Sequence, residues 1–224
     1  MAGAPDIDRF FADKRTVEYQ KGEIIVRVGE VPAGVYWIRQ GYVKAYSLTE
    51  AGEQNLHFIY RQQELFPFVW AVHNREPRSY YEAMGPVTVQ RAGRDEFVSF
   101  LEQRPAATME LLRYATAMLR ASFDRVNNLE FTTAYPRVIV QLLFLAKRFG
   151  AEQDGAVTFD IPITQQDIAD SINVTRETAS KELNVLAKKG IIDCKDKYSL
   201  TIHDLDELKR EYFRYYDAKA EAAA

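Results

Sequence analysis

Arg176, Glu177 and Lys181 are the side chains in this 224-residue chain whose types and spacing best suit a recognition chemistry. Arginine offers two parallel donors to guanine O6 and N7, and glutamate can accept from the cytosine N4 amine. Lys181 follows Arg176 by five positions, about 1.4 turns of helix, so the two cations can address different base pairs with Glu177 between them. Three charged residues on a short helix can also be plain solvated surface. Catalytic constellations are lacking. His57, His73 and His203 are scattered, and there is no Gly-x-Ser-x-Gly, no phosphate-cradling glycine loop and no ligand cluster with metal spacing. Neither an enzyme nor a metal site is expected. The single cysteine, Cys194, rules out an intrachain disulfide framework and a four-thiolate iron–sulfur cluster within one chain.

The elements that must hold the trio are legible around it. ITQQDIADSINVTRETASKEL reads as two short helices joined by a tight turn. Thr164 opens the first with an acid, Asp167, three residues on, a capping-box arrangement. Ile168, Ala169 and Ile172 share one helical face. Asn173 tolerates the left-handed backbone of a turn. Thr175 then caps a second helix with Ala179, Leu183, Leu186 and Ala187 on its inner face. That helix suits a DNA major groove, with its N-terminal residues reaching base edges. Thr164, Gln166, Thr175 and Ser180 are the candidates for phosphate contacts through hydroxyl, amide and helix-N-terminal groups. Charge gives no help: the net charge is −3, and between Ile163 and Leu200 six Lys or Arg are balanced by six Asp or Glu. Affinity for DNA must come from a local positive face, strengthened by dimerisation.

Elsewhere the composition, 47% hydrophobic and 27% charged, is that of an ordinary globular chain. No apolar run approaches the length of a bilayer span, and the polar opening MAGAPDIDRF carries no signal segment, so no membrane association and a cytoplasmic location are expected. From Arg15 to about Phe97, short β-like runs alternate with glycine turns, including a hairpin turn at Glu50-Ala51-Gly52-Glu53, which suggests a sandwich or barrel. Residues 106–131 carry the longest helical pattern. Leu112, Ala115, Leu119, Ser122, Val126 and Leu129 fall at heptad a and d positions, with Phe123 beside the seam. Such a helix either lies on its own β domain or pairs with another copy. A hinge is expected at Leu129–Thr133, then a helix at Arg137–Phe149 stopping at Gly150, a polar loop AEQDGA, a strand at Val157–Ile161 and a hairpin from Ile191 to Ile202 around Lys195-Asp196-Lys197.

Lys21-Gly22-Glu23, Gly29-Glu30 and Gly34-Val35-Tyr36-Trp37-Ile38-Arg39-Gln40-Gly41 resemble the β-roll of the cyclic-AMP receptor protein/FNR superfamily of bacterial transcription regulators. ITQQDIADSINVTRETASKEL resembles its DNA-reading helix pair, and the likeness covers roughly residues 15–203 in order. The resemblance implies an α+β chain with an N-terminal β-roll (a cyclic-nucleotide-binding-like jelly roll) over 1–105, a dimerisation helix over 106–133 and a C-terminal winged helix-turn-helix over 134–224. It implies a parallel dimer helix, with the small Ala115 and Ser122 allowing close approach, and a palindromic double-stranded DNA site with half-sites such as TGTGA. RNA polymerase is a further partner it admits. An effector pocket would involve Glu64, Arg78, Ser79, Ser122 and Phe123. Against a cyclic nucleotide stand Gln63, where such binders place glycine before the glutamate, and Phe123, bulky and apolar where a hydroxyl residue meets the base. Another small effector, or none, is expected. His73 lies where haem-sensing members place a ligand, but a lone loop histidine argues against haem.

The function expected is a homodimeric, sequence-specific DNA-binding transcription regulator with a β-roll whose ligand is unknown. A small-molecule sensor acting mainly through protein contacts is the alternative, and selection on a palindromic DNA library separates the two.

Overall fold

β-branched and aromatic runs broken by glycine turns build the N-terminal half of the computed structural model, which describes residues 4–131, 133–153, 155–194 and 200–222. The chain divides into two compact units, Met1–Ser122 and Phe123–Ala224. The first opens with α1 (Pro5–Phe11), then β1 (Arg15–Tyr19), β2 (Ile24–Val26), β3 (Val35–Gln40), β4 (Val43–Leu48), β5 (Gln54–Tyr60), β6 (Leu65–Phe66), α2 (Phe68–His73), β7 (Tyr80–Ala83) and β8 (Val87–Ala92). The strands form two four-stranded antiparallel sheets, ordered β1-β8-β3-β6 and β2-β7-β4-β5. Together they make the β-roll. The turn between β4 and β5 closes where Thr49 N–H donates to Glu53 O at 2.9 Å and Gly52 takes φ 79°.

Aromatic rings fill the roll. Phe66 stacks on Tyr36 and Tyr81 at 5.2 Å each, and Tyr60 lies 5.6–5.8 Å from Phe66 and Tyr81. The polar edge of Trp37 finds its partner on α1, the indole N–H donating to Asp8 at 3.0 Å, while Ile7 and Phe11 of α1 are fully buried. After α3 (Arg94–Gln103) comes the long helix α4 (Pro105–Leu129). Its residues Ala107, Leu111 and Tyr114 are buried in the roll core, and Ala115 and Met118 pack against that core.

The opposite face of α4 is bare. Met109, Leu112, Leu119, Phe123 and Val126 are 46–61% exposed, with Thr116 exposed among them. This stripe repeats every three and four residues, but its register differs from the one read in the sequence. Leu112, Leu119 and Val126 belong to both. Ala115 turns toward the roll, Leu129 is half-buried, and the exposed Ser122 spends its hydroxyl on Met118 O at 3.0 Å. The reason is geometric: residues 107, 111, 114 and 118 must face the roll, and the face lying ~180° away at 100° per residue is that of 109, 112, 116, 119, 123 and 126.

The second unit contains α5 (Ala134–Phe149), β9 (Gly150–Gln153), β10 (Ala156–Phe159), α6 (Gln165–Ile172), α7 (Arg176–Lys188), β11 (Ile192–Cys194), β12 (Leu200–Ile202) and α8 (Leu205–Ala222). Its antiparallel sheet is ordered β11-β12-β10-β9. β11 and β12 are the limbs of the wing; its expected tip, Lys195-Asp196-Lys197, lies outside the described residues. Ala151, Glu152 and Gln153 of the segment expected as a polar loop belong instead to strand β9, paired with β10 in the register Glu152↔Val157. Val138, Ile139, Leu142 and Leu145 of α5 are fully buried and form the spine of this unit.

Gly150 is where α5 turns into β9. Its N–H donates to Ala146 O, and a Cβ there would lie 2.4 Å from that oxygen and 2.5 Å from Val157 Cγ1. Close approach, with an ordinary φ of −75°, is what excludes a side chain. Gly150→Ala is expected to lower the unfolding free energy by about 1–3 kcal/mol, read as a reduced urea midpoint with an unchanged m-value.

Candidate nucleic-acid interface

The helix pair is built by local chemistry. Thr164 caps α6 in a complete capping box: Asp167 N–H donates to Thr164 Oγ1 at 3.1 Å, and Thr164 N–H donates to Asp167 Oδ2 at 2.8 Å. Ile168, Ala169 and Ile172 are buried. Asn173 ends α6 in the left-handed region, φ 54°, and Val174 N–H reaches back to Ala169 O at 3.2 Å. Thr175 caps α7, accepting from Thr178 N–H at 3.2 Å. Ala179, Leu183 and Leu186 are buried beneath α7.

Arg176, Glu177 and Lys181 stand exposed over the first turns of α7 and make no hydrogen bond or ion pair with the described residues. The four candidate phosphate residues are situated differently. Thr164 is half-buried and its hydroxyl also donates to Asp167 at 2.6 Å. The exposed Gln166 donates its amide to Asp170 at 2.6 Å, the Thr175 hydroxyl pairs with that of Thr178 at 3.0 Å, and Ser180 is half-buried. Polar groups already engaged in caps offer an anion less than the first N–H groups of α7, which are aimed outward by the helix itself.

Support for α7 comes from residues the sequence pattern does not point out. Lys189 is its C-cap, and Gly190, φ 72°, follows with Ile191 N–H donating to Leu186 O at 3.1 Å, a left-handed stop. The Lys189 ammonium pairs with the buried Glu211 of α8 and lies 5.4 Å over the ring of Tyr135 on α5. The Tyr135 hydroxyl donates to the same carboxylate at 2.8 Å, and Arg214 stands 3.6 Å away. Burial, then the adjacent Glu211 charge, pushes the Tyr135 phenol well up. Burial alone would raise the Glu211 carboxyl, but the Lys189 and Tyr135 donors outweigh it and hold that carboxyl below its ordinary value. Glycine after a lysine-rich helix end is a signal for Lys189; for Glu211, 22 residues further on, the sequence carries none.

In the roll, Glu64 is 2% exposed. Its carboxylate accepts from the Arg61 N–H at 3.1 Å and lies 3.8 Å from the Arg61 guanidinium. Gln63 takes φ 61°, so the left-handed turn is kept without glycine, at a cost of roughly 1–2 kcal/mol. Arg78 is exposed, Ser79 half-buried, and His73 exposed at the end of α2. Phe123 is 61% exposed on the bare face of α4. The Glu64 carboxylate is thus turned toward its own loop. Among the described residues, no group of three or more His, Cys, Asp or Glu is placed to hold a metal, and no helix is long and apolar enough to cross a membrane.

Residues 16–104 match the family described as cyclic nucleotide-binding domain, and residues 136–211 the Crp-like helix-turn-helix domain. A CRP-like cAMP-activated global transcriptional regulator of Mycobacterium tuberculosis is 32% identical over 197 residues, covering 87% of this chain and 86% of the relative. An anaerobic regulatory protein of Haemophilus influenzae is 25% identical, covering 90% of this chain and 77% of the relative. A CooA mutant from Carboxydothermus hydrogenoformans superposes with a TM-score of 0.76 at 21% identity, covering 90% of this chain and 89% of that one. FixK2 from Bradyrhizobium japonicum gives 0.75 at 23%, covering 88% and 96%. These two likenesses speak to the fold.

Glu211→Gln is expected to destabilise the chain by about 1–3 kcal/mol at neutral pH, the usual range for losing charge-assisted hydrogen bonds. Because the carboxyl is held low, its stabilisation is present above the unfolded value of about 4.3 and fades as pH falls through the lower folded value. Urea melts of the two proteins should therefore converge on acidification below about pH 4.

Proposed function

The chain belongs to the CRP/FNR superfamily of bacterial transcription regulators, and from that membership we propose a base-reading role for Arg176, Glu177 and Lys181 in a homodimeric, sequence-specific DNA-binding regulator. What carries the proposal is the front of α7: three charged side chains, exposed and unengaged, on a helix whose other face is buried. Arg176 forks onto guanine, Glu177 accepts from cytosine, and Lys181 reads an outer position less strictly, because a point charge lacks the two-pronged geometry of arginine. Thr164, Gln166, Thr175 and Ser180 sit at the phosphate backbone, where the N–H groups of the α7 N-terminus take the larger share. The site is a palindrome with half-sites about one turn of DNA apart.

The second copy covers the bare stripe of α4, with Met109, Leu112, Thr116, Leu119, Phe123 and Val126 at the seam and Ala115 and Ser122 on its flank. Exposure of five large apolar residues in one row supports this register. The three-part division proposed is 1–105, 106–133 and 134–224, with α4 shared between the compact units. The Mycobacterium tuberculosis relative is described as cAMP-activated. Gln63 and Phe123 stand where the resemblance places a glycine and a hydroxyl residue in cyclic-nucleotide binders, and Glu64 turns onto Arg61, which supports a different small effector or none. The relatives are transcription regulators; absence of catalysis, a cytoplasmic location and contact with RNA polymerase complete the proposal.

Arg176→Ala is expected to cost about 1–3 kcal/mol at a site enriched from a randomised palindromic library and to relax preference at one base pair. Binding isotherms at fixed salt measure it; an equal loss on random DNA would reassign Arg176 to phosphate. In a Cys194→Ser background, Thr116→Cys should form an interchain disulfide readily on mild oxidation, and Ala115→Cys should not. Non-reducing gels give the answer, and the reverse pattern would restore the register read in the sequence.

A further inference from the structure

Two arginines gather the carbonyl ends of separate helices in the second unit. α4 ends at Leu129 and α6 at Ile172, and the last carbonyls of any helix have no partner within it. Arg137, in the first turns of α5, supplies one from a single guanidinium. Its Nη2 donates to Leu129 O at 3.0 Å and to Phe131 O at 2.6 Å; its Nε donates to Phe131 O at 2.9 Å; its Nη1 donates to Ile172 O at 3.3 Å. Arg125 of α4 donates from Nε to Ser171 O at 3.0 Å. Asn128 of α4 completes the joint, its amide donating to Arg137 O at 3.3 Å. Cations at helix C-termini are favoured by the helix dipole, and charge-assisted bonds are the strong ones.

The placement of this knot matters more than its strength. Arg125 and Leu129 sit on the same stretch of α4 as Phe123 and Val126, which face outward to the seam. Ser171 and Ile172 end α6, the helix packed on α7 and joined to it by the turn at Asn173. Phe131, whose carbonyl is one of those gripped, lies within the hinge expected from the sequence at Leu129–Thr133. The link from seam to base-reading helix therefore runs through two guanidinium groups, and Arg137 is the one that grips the ends of both α4 and α6.

We infer that Arg137 is the positioning residue that fixes α7 relative to the paired α4 helices and so sets which half-site separation the dimer accepts. This rests on the assignment of α7 as base reader and α4 as seam given above. Arg137 touches no DNA in this scheme. Lysine cannot replace it, because an ammonium has no planar fork to span carbonyls lying in several directions.

The test compares wild type, Arg137→Ala and Arg137→Lys on duplexes carrying the half-site enriched from the palindromic library. Each protein is titrated, at one salt concentration, on the preferred palindrome, on palindromes lengthened or shortened by about 2 bp (a rotation of roughly 70° at ~10.5 bp per turn), and on a single half-site. Wild type should prefer one spacing sharply. Both variants should lose about tenfold to a hundredfold on that palindrome, part of the ~10²–10⁴ gain that rigid linkage confers, bind the spacing variants nearly alike, and keep wild-type affinity for the half-site. Retention of the wild-type spacing profile in either variant overturns the inference. So does a loss on the half-site that matches the loss on the palindrome. If Arg137→Ala melts below the assay temperature, Arg137→Lys decides by the same readouts. A wild type indifferent to spacing overturns the inference as well, whereas a wild type that binds the enriched half-site and a scrambled one alike would sink the DNA-reading assignment itself, a result distinguishable from a failure of Arg137 alone.

Discussion

One helix carries two incompatible demands, and the rest of the chain is arranged around how it meets them. α4 must bury Ala107, Leu111 and Tyr114 in the roll, yet it also carries apolar residues on the opposite side. A helix with apolar residues on two faces has two surfaces to bury. One of those surfaces is buried on the roll and the other is exposed. Because the two faces are set by the same 3.6-residue period, the roll contacts dictate which residues remain for the seam. A change that rotated α4 on the roll would change the dimer register with it.

The DNA-binding end is economical with its polar groups. Hydroxyls of Thr164 and Thr175 are committed to capping, and the amide of Gln166 to Asp170. These bonds fix where α6 and α7 begin, and the long side chains of Arg176, Glu177 and Lys181 project from the first turns of α7. With a net charge of −3, no global field holds the protein on DNA nonspecifically. Discrimination thus has to come from geometry, which gives the connections behind α7 their importance: Lys189 to Glu211 and Tyr135 at its rear, and α6 to the base of α4.

The roll strands, the long helix and the helix pair could all be read from the chain because each rests on local rules. Short β-branched and aromatic runs beside Gly34 and Gly41 mark β3 and β4, Thr164 and Asp167 announce a cap, and Asn173 marks the turn. Three things escaped. Strand β9 escaped because Gly150-Ala151-Glu152-Gln153 has no apolar alternation; all four residues are exposed, and only pairing with β10 makes them a strand. The register of α4 escaped because two heptads, offset by a few residues, fit the same sequence, and the choice is made by contacts more than 12 residues away. The hydrogen bonds of Arg137 and Glu211 join segments that are distant in the chain or end on backbone carbonyls, for which no residue type is diagnostic.

β9 has one further consequence. Among the described residues it is the outermost strand of its sheet, with β10 on one side and no strand on the other. Such borders invite stacking between molecules, above all where operator sites concentrate several dimers on one stretch of duplex. Here the border is only four residues long and carries Glu152, with glycine at its start. Brevity and a negative charge make it a poor template for such stacking.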